Sequence, residues 1–389
     1  MKNIFFITLF LWSLASCKTD KSNFSTIQGF IQSKDGAKSI ETFPLKAEWK
    51  KALPAFTPTY ASKAFSFQTI VGDMAYLING DLYQIETYNL QTQQVVATIS
   101  FPDVYSQVGS KLGSCYVLNT NQFIWHCDST QLFICNVAGQ IEKTIDLPLT
   151  KENRNFHLAS NPNSRIQFNS QSQTLIFPIQ CIDAYDSEEE YNLPKFASYN
   201  LTTASLAFIP ISLPKTYRAD VHVPSLYDPF TAIDGQTFYA IFPLSNEVFA
   251  YQLQSNQMQI LPLQFPVSLT SPAALKQPKD VYEINQSIYT SNHIKGFTAI
   301  KGKFYVQQVD AWNEALESKK FIDNTALFVY NQNGSINWGG KFLSDQLSES
   351  GIFNIKFGQD QALYFITFPK AQSSESNATN SLVKFIAAR

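Results

Sequence analysis

The sequence predicts an all-β fold, a six-bladed β-propeller of four-stranded antiparallel blades, with a seven-bladed ring as the alternative. Three observations carry this reading. Continuous apolar runs recur along the chain: "AYLI" at 75, "FIW" at 123, "LIFPI" at 175, "FYAIF" at 238, "FYV" at 304 and "LYFITF" at 363. Their mean spacing is about 58 residues, a period that marks repeated sheet units rather than a single sandwich. Each run is followed by another strand that leads into a polar turn, as in "TYNLQTQQ" at 87, "ICNVAGQ" at 134, "SYNLTTAS" at 198, "AYQLQSNQ" at 250 and "VYNQNGS" at 329. The last such strand, "SLVKFIAAR", has no fourth strand after it, whereas a spare one, "SIETFP", ends at Pro44 before the first unit begins. Pairing the two closes a ring and removes two free sheet edges.

Within a unit, the apolar run is the second strand, buried on both faces. The first strand and its hairpin are clearest in "FTAIDGQTFYAIF" (230–242), echoed by "FTAIKGKFYVQQ" from 297. Asp234-Gly235 and Lys301-Gly302 make the turns, where glycine supplies a positive φ. Fourth strands end on proline in "ISFP", "IDLP", "ISLP" and "LQFP", at Pro102, Pro148, Pro214 and Pro266, as suits outermost strands that need no further amide donor. The seven-bladed alternative places an irregular extra pair of strands in residues 46–70.

In such a meander, first-to-second and third-to-fourth turns share one face of the ring, and these are short. The other face collects the long connections: 148–165, 214–230 and 266–296 between blades, 182–194 and 310–324 within them. Long loops on a rigid scaffold are where binding groups gather. Three of the 4 histidines fall there, His157, His222 and His293, and imidazoles around one channel mouth suit a divalent metal or acid–base work. Arg154 and Arg218 lie shortly upstream of His157 and His222, and a guanidinium grips carboxylate or phosphate. The competing reading makes these five unrelated loop residues satisfied by backbone carbonyls. His126, in "FIWHCD", reads as a packed histidine.

Trp312, Tyr217 and Tyr227 are candidate aromatics for stacking on a ligand, or else anchors of their own loops. Trp312 belongs to "DAWNEALESKK", whose apolar spacing predicts a short helix. The run "CIDAYDSEEEYN" (181–192) is acidic but lacks the alternating ligands and glycine of a calcium loop, so it reads as a solvated loop.

The first residues carry an address. Lys2 precedes an apolar run from Ile4 to Leu14, too short to span a bilayer, and Leu14-Ala15-Ser16-Cys17 has lipobox spacing. Residues 1–16 then form a lipoprotein signal peptide, 17–37 a lipidated Cys17 with a flexible tether, and 38–389 a single propeller domain. Acyl chains on Cys17 anchor the protein to a membrane face, and Lys18, with no aspartate beside the cysteine, points to the outer membrane with the leaflet open.

Removing the signal takes Lys2 from the 29 Lys+Arg, leaving 28 against 31 Asp+Glu, a net charge of −3. That balance excludes a large basic nucleic-acid footprint. Cys115, Cys127, Cys135 and Cys181 form no CxxC pair; they are buried thiols, with a disulfide as the alternative in an oxidising compartment. The sequence contains no GxSxG elbow, HExxH helix, phosphate loop or dinucleotide fingerprint.

The lipobox, the length of 389 and the "YNLxT" hairpins from Tyr88 and Tyr199 resemble an uncharacterised lipoprotein family of Bacteroidota, known as a domain of unknown function and grouped with six-bladed propellers. The resemblance implies the fold and brings no catalytic residues. The sequence points to a lipid-anchored envelope scaffold or sensor that binds a protein or carbohydrate ligand. The alternative is a metal-assisted lyase or hydrolase acting on an acidic glycan through His157, His222, His293, Arg154 and Arg218. No cofactor is firmly implied; a divalent metal belongs to that alternative alone.

Overall fold

The computed structural model describes residues 46–52; 69–309 apart from 72, 81, 110–112, 128, 160–164, 185–187, 219–225 and 270–290; then 325–341, 356–357, 363–367 and 381–386. Small antiparallel sheets stand in a propeller ring. Five are each folded from one continuous stretch of chain. The first blade runs Thr69–Val71, Met74–Asn79, Gln84–Asn89, Gln94–Ser100, and the second Ser114–Asn119, Gln122–His126, Gln131–Asn136, Ile141–Asp146. The third has Gln167–Asn169, Thr174–Cys181, Phe196–Asn200 and Leu206–Ile209, and the fourth Phe230–Asp234, Thr237–Ile241, Glu247–Gln252 and Met258–Pro262. The fifth comprises His293–Ile300, Lys303–Val309, Thr325–Asn331 and Ile336–Lys341.

A further sheet joins the two ends of the chain, in the order Lys46–Ala52, Ser381–Ile386, Leu363–Thr367, Lys356–Phe357. Its inner strand runs beside Thr69–Val71 of the first blade. The joining strand is not the one expected. Residues 39–44 lie outside the described residues, and Lys46–Ala52 pairs antiparallel with the C-terminal strand, from Lys46 opposite Ile386 to Ala52 opposite Ser381. Pro44 had been read as a strand's end, but a residue that cannot donate an amide precedes a strand equally well. Because residues 46–52 are committed to this sheet, they supply no extra pair for a seventh blade.

Blade-to-blade packing explains the apolar runs. Successive side chains of a strand point to opposite faces. In Thr237–Ile241, Phe238 and Ala240 therefore pack with the third blade, against Ile176 and Phe196, while Tyr239 and Ile241 pack with the fifth, against Phe304 and Val306. In the second blade, Phe123 and Trp125 join the core shared with the first, and Ile124 that shared with the third. Each core lies between two neighbouring blades, so a second strand must be apolar on both sides. Outermost strands have no such duty, and Gln94–Ser100 and Met258–Pro262 are largely exposed.

Other differences from expectation are local. Helix Pro102–Val108 occupies the first blade-to-blade connection, with Pro102 in its first turn where a missing amide costs nothing. The fourth strands of the third and fourth blades end at Ile209 and Pro262, ahead of Pro214 and Pro266. The stretch 148–165 is no plain loop: Thr150–Lys151 and Arg154–Leu158 form a hairpin whose second strand extends the third blade by pairing Phe156 with Cys181 and Leu158 with Ile179. The predicted helix at 310–320 lies outside the described residues. No helix among the described residues is long and apolar enough to cross a membrane.

Candidate functional site

The two faces of the ring are unequal. On one side inner hairpins tie neighbouring blades together: Asn169 Nδ2 donates to Gly235 O at 2.7 Å, and Asp234 Oδ2 accepts from Gly302 N at 2.7 Å. On the other side longer connections fold into ordered cover. There the 3-10 turns Glu188–Asn192 and Lys215–Arg218 pack on each other at the junction of the third and fourth blades.

Three charged groups meet at that junction. Lys195 Nζ contacts Glu190 Oε1 at 2.5 Å, and both side chains are largely buried. Asp228, just ahead of the fourth blade's inner strand, has its carboxyl pushed up to about 7, first by burial and then by Glu190, with Lys195 opposing. A carboxyl poised near neutrality in a covered junction is suited to proton transfer or to gripping a polar ligand. The acidic run is thus not simply solvated. Glu190 is buried, Glu189 pairs with Arg154 at 2.5 Å, and Asp183 Oδ2 accepts the Asn155 amide. Sequence reading took Glu190 as part of a solvated acidic run and missed Lys195 and Asp228, because the three are brought together only by the fold.

Of the predicted residues, Arg154 and His157 share the strand Arg154–Leu158, whereas His293 opens the fifth blade's inner strand. Arg154 is held by Glu189, which raises its pKa. His157 sits within the added strand, opposite Gln180. His293 is buried, its Nδ1 2.9 Å from the Ser291 carbonyl, and burial pulls it down to about 4, so the ring is neutral. His222 and Trp312 lie outside the described residues, as does the side chain of Arg218, which ends the Lys215–Arg218 turn. Among the described residues no three His, Cys, Asp or Glu side chains come together as a metal site would require.

Tyr217 is a correction. It is buried, its hydroxyl donates to Leu226 O at 2.7 Å and accepts the Leu244 amide at 2.8 Å, and its ring packs edge-on against Tyr227 and Phe242. It fastens the connection to the fourth blade and offers no face to a ligand. Tyr227 is partly buried against it. Cys115, Cys127, Cys135 and Cys181 are buried thiols; burial pushes Cys135 up to about 12 and Cys115 well above the ordinary range.

Two further cations stand at the starts of inner strands on this side. Arg165 is buried ahead of Gln167–Asn169, and burial pulls it down to about 10. Lys295, partly exposed by surface area yet deep in the fifth blade, is pulled down to about 8 by burial.

Among solved structures, the chain is similar to a member of the DUF4221 family from Bacteroides vulgatus, at 14% identity and a TM-score of 0.58, over 88% of this chain and 97% of that one. It is also similar to a Bacteroides fragilis protein described as exported, at 12% identity and a TM-score of 0.51, over 87% and 94%. No protein-family model matches the sequence. No curated protein matches it either. Likeness at these identities establishes the fold and nothing finer: an all-β, propeller-like ring.

Proposed function

We propose that the chain is a lipid-anchored β-propeller of the cell envelope, a scaffold or sensor whose long-connection side binds a protein or carbohydrate ligand. In this reading the end-joining sheet is the sixth blade, Cys17 carries the acyl chains, and the tether lets the ring stand off an outer-membrane leaflet. Membership of the DUF4221 family belongs to the same reading. What carries it is the asymmetry of the faces: one has short turns, whereas the other holds an added hairpin, two interlocked 3-10 turns and the buried Glu190–Lys195–Asp228 group.

A second reading, a lyase or hydrolase of acidic glycans, draws support from Asp228, whose proton affinity near neutrality suits a general acid or base. His157, His222 and His293 would hold its metal, with Arg154 and Arg218 on the substrate.

Two exposed apolar residues report on the faces. Ile182 follows the second strand of the third blade on the long-connection side, and Val137 lies in the outer hairpin of the second blade on the other. A photocrosslinker at Ile182 in intact cells is expected to capture an envelope component, and one at Val137 to capture none. Adducts from Val137 alone would overturn the assignment of the working side. Cys17→Ser is expected to move the protein from membrane to soluble fractions, and unchanged fractionation would remove the anchor from the reading.

A further inference from the structure

The outermost strands of three blades carry the same β-bulge. It falls just before the asparagine that opens the outer hairpin, opposite Tyr88 in the first blade, Cys135 in the second and Tyr330 in the fifth. The extra residue is Val96, Glu142 or Asn337 in turn, and all three are exposed. A bulged residue is left out of its own ladder at the rim of the sheet, where a polar side chain is expected. Glutamate and asparagine meet that expectation, whereas Val96, 60% exposed, does not. The rest of its strand is as bare. Edge strands invite pairing with another chain, and proteins blunt them with charge, proline or brevity. Ile141–Asp146 carries Glu142, Lys143 and Asp146, Ile336–Lys341 ends on Lys341, and Lys46–Ala52 holds Lys46, Glu48, Lys50 and Lys51. Leu206–Ile209 has only 4 residues, and Met258–Pro262 ends on a proline. Gln94–Ser100 has 7 residues with no charge and no proline, and no further strand pairs with its outer side.

The composition of this edge names its partner. Its Ser100 end abuts Gly139 of the second blade, which leaves Gln94–Thr98 open. A charged segment finds no opposite charge there, but a second copy finds a match. Two such stretches laid antiparallel about Val96 set Val96 against Val96, Val95 against Ala97 and Gln94 against Thr98. Apolar then meets apolar and polar meets polar, and β-branched cross-strand pairs favour a sheet. At the equivalent position of the second blade the same two-fold would set Glu142 against its own charge. We propose that the outermost strand of the first blade, Gln94–Ser100, is a self-association edge that pairs antiparallel with the same strand of a second copy of this chain, joining two four-stranded blades into one continuous sheet. Pairing through a single strand buries less than about 1,200 Å², so the dimer is weak and depends on concentration.

The inference holds whichever side of the ring takes a ligand, so it stands or falls apart from the scaffold reading. The test is sedimentation equilibrium of the purified chain from micromolar to millimolar concentration. A monomer–dimer equilibrium is expected. Val96→Lys should weaken it by about tenfold or more, because like charges then meet on the two-fold, and Val96→Thr should leave it nearly unchanged. Val96→Lys and Val96→Glu chains are each expected to stay monomeric alone and to dimerise when mixed in equal amounts. Glu142 shows that this bulge tolerates a charge, so the variants keep the parent thermal midpoint. Leu82→Lys, which removes another exposed apolar side chain, is expected to leave the dimer intact. A monomer at every concentration, self-association retained in Val96→Lys, a mixture no more associated than its parts, or equal loss in Leu82→Lys would each overturn the proposal.

Discussion

The Asp234 carboxylate accepts the backbone amide of Gly302 at 2.7 Å, so the turn of one inner hairpin is held by the turn of the next. Asn169 makes the equivalent link one blade earlier, but with the polarity reversed, donating to the Gly235 carbonyl. The two side chains are therefore not interchangeable. Asp234→Ala is expected to cost about 1.5–3 kcal/mol, the worth of a hydrogen bond to a charged group, and Asp234→Asn much less because an acceptor oxygen remains. Asn169→Asp sets a carboxylate against a carbonyl and destabilises. Denaturant midpoints of the three variants check the order, and a harmless Asn169→Asp would refute the assigned polarity.

Two outer-hairpin glycines are fixed by their neighbours. A β-carbon on Gly139 would lie 1.9 Å from Ser100 O, and one on Gly334 1.9 Å from Pro262 O, in each case the end of the preceding blade's outermost strand. Both also have positive φ, at 78° and 80°. Alanine at either position adds a backbone collision to the left-handed penalty, about 3 kcal/mol or more together. Gly235 is the control: its φ is 60° with nothing within 4 Å, so alanine there costs about 1–2 kcal/mol. Equal losses at Gly235 and Gly334 would show that blade contact contributes nothing.

Tyr217→Phe deletes one oxygen and strands two backbone groups, the Leu226 carbonyl and the Leu244 amide. The expected loss is about 1–3 kcal/mol, with faster hydrogen exchange at Leu244. Unchanged exchange there would mean that the hydroxyl does not fasten the connection.

Asp228 gives the stability a pH slope. Its carboxyl holds a proton more tightly in the folded chain, at about 7, than unfolded, near 3.8. Its contribution is therefore complete below about pH 4 and lost as pH rises through 7. Asp228→Asn stays neutral throughout, so its advantage over the parent chain is expected to grow between pH 5 and pH 8, by up to roughly 3 kcal/mol if Lys195 and Glu190 hold their positions. A constant gap in thermal midpoint across that range would refute the shift.

Legibility in the sequence followed burial. "FYAIF" and "LIFPI" were readable as second strands because packing on both faces forbids polar residues there. The Asn-led turns at Asn89, Asn136 and Asn200 were readable because their side chains cap the turn amides themselves. Pro102 misled, since one missing amide serves a strand's end and a helix's first turn alike. The hairpin around Arg154–Leu158 was illegible because its strands are short and its pairing partner, Cys181, is distant in sequence. Glu190, Lys195 and Asp228 gave no signal for a related reason: a charge in a sequence reads as solvated unless its partner is adjacent. Lys295 was hidden by the bulge, which shifts the strand's alternation by one residue.

The seam between Lys46–Ala52 and Ser381–Ile386 puts side by side two segments that lie far apart along the chain. The other blades pair strands that are close in sequence, but this sheet forms only once both distant segments have been made. Closure of the ring thus waits on Ser381–Ile386, and any nick or early stop that removes those six residues leaves Lys46–Ala52 and Leu363–Thr367 as adhesive rims.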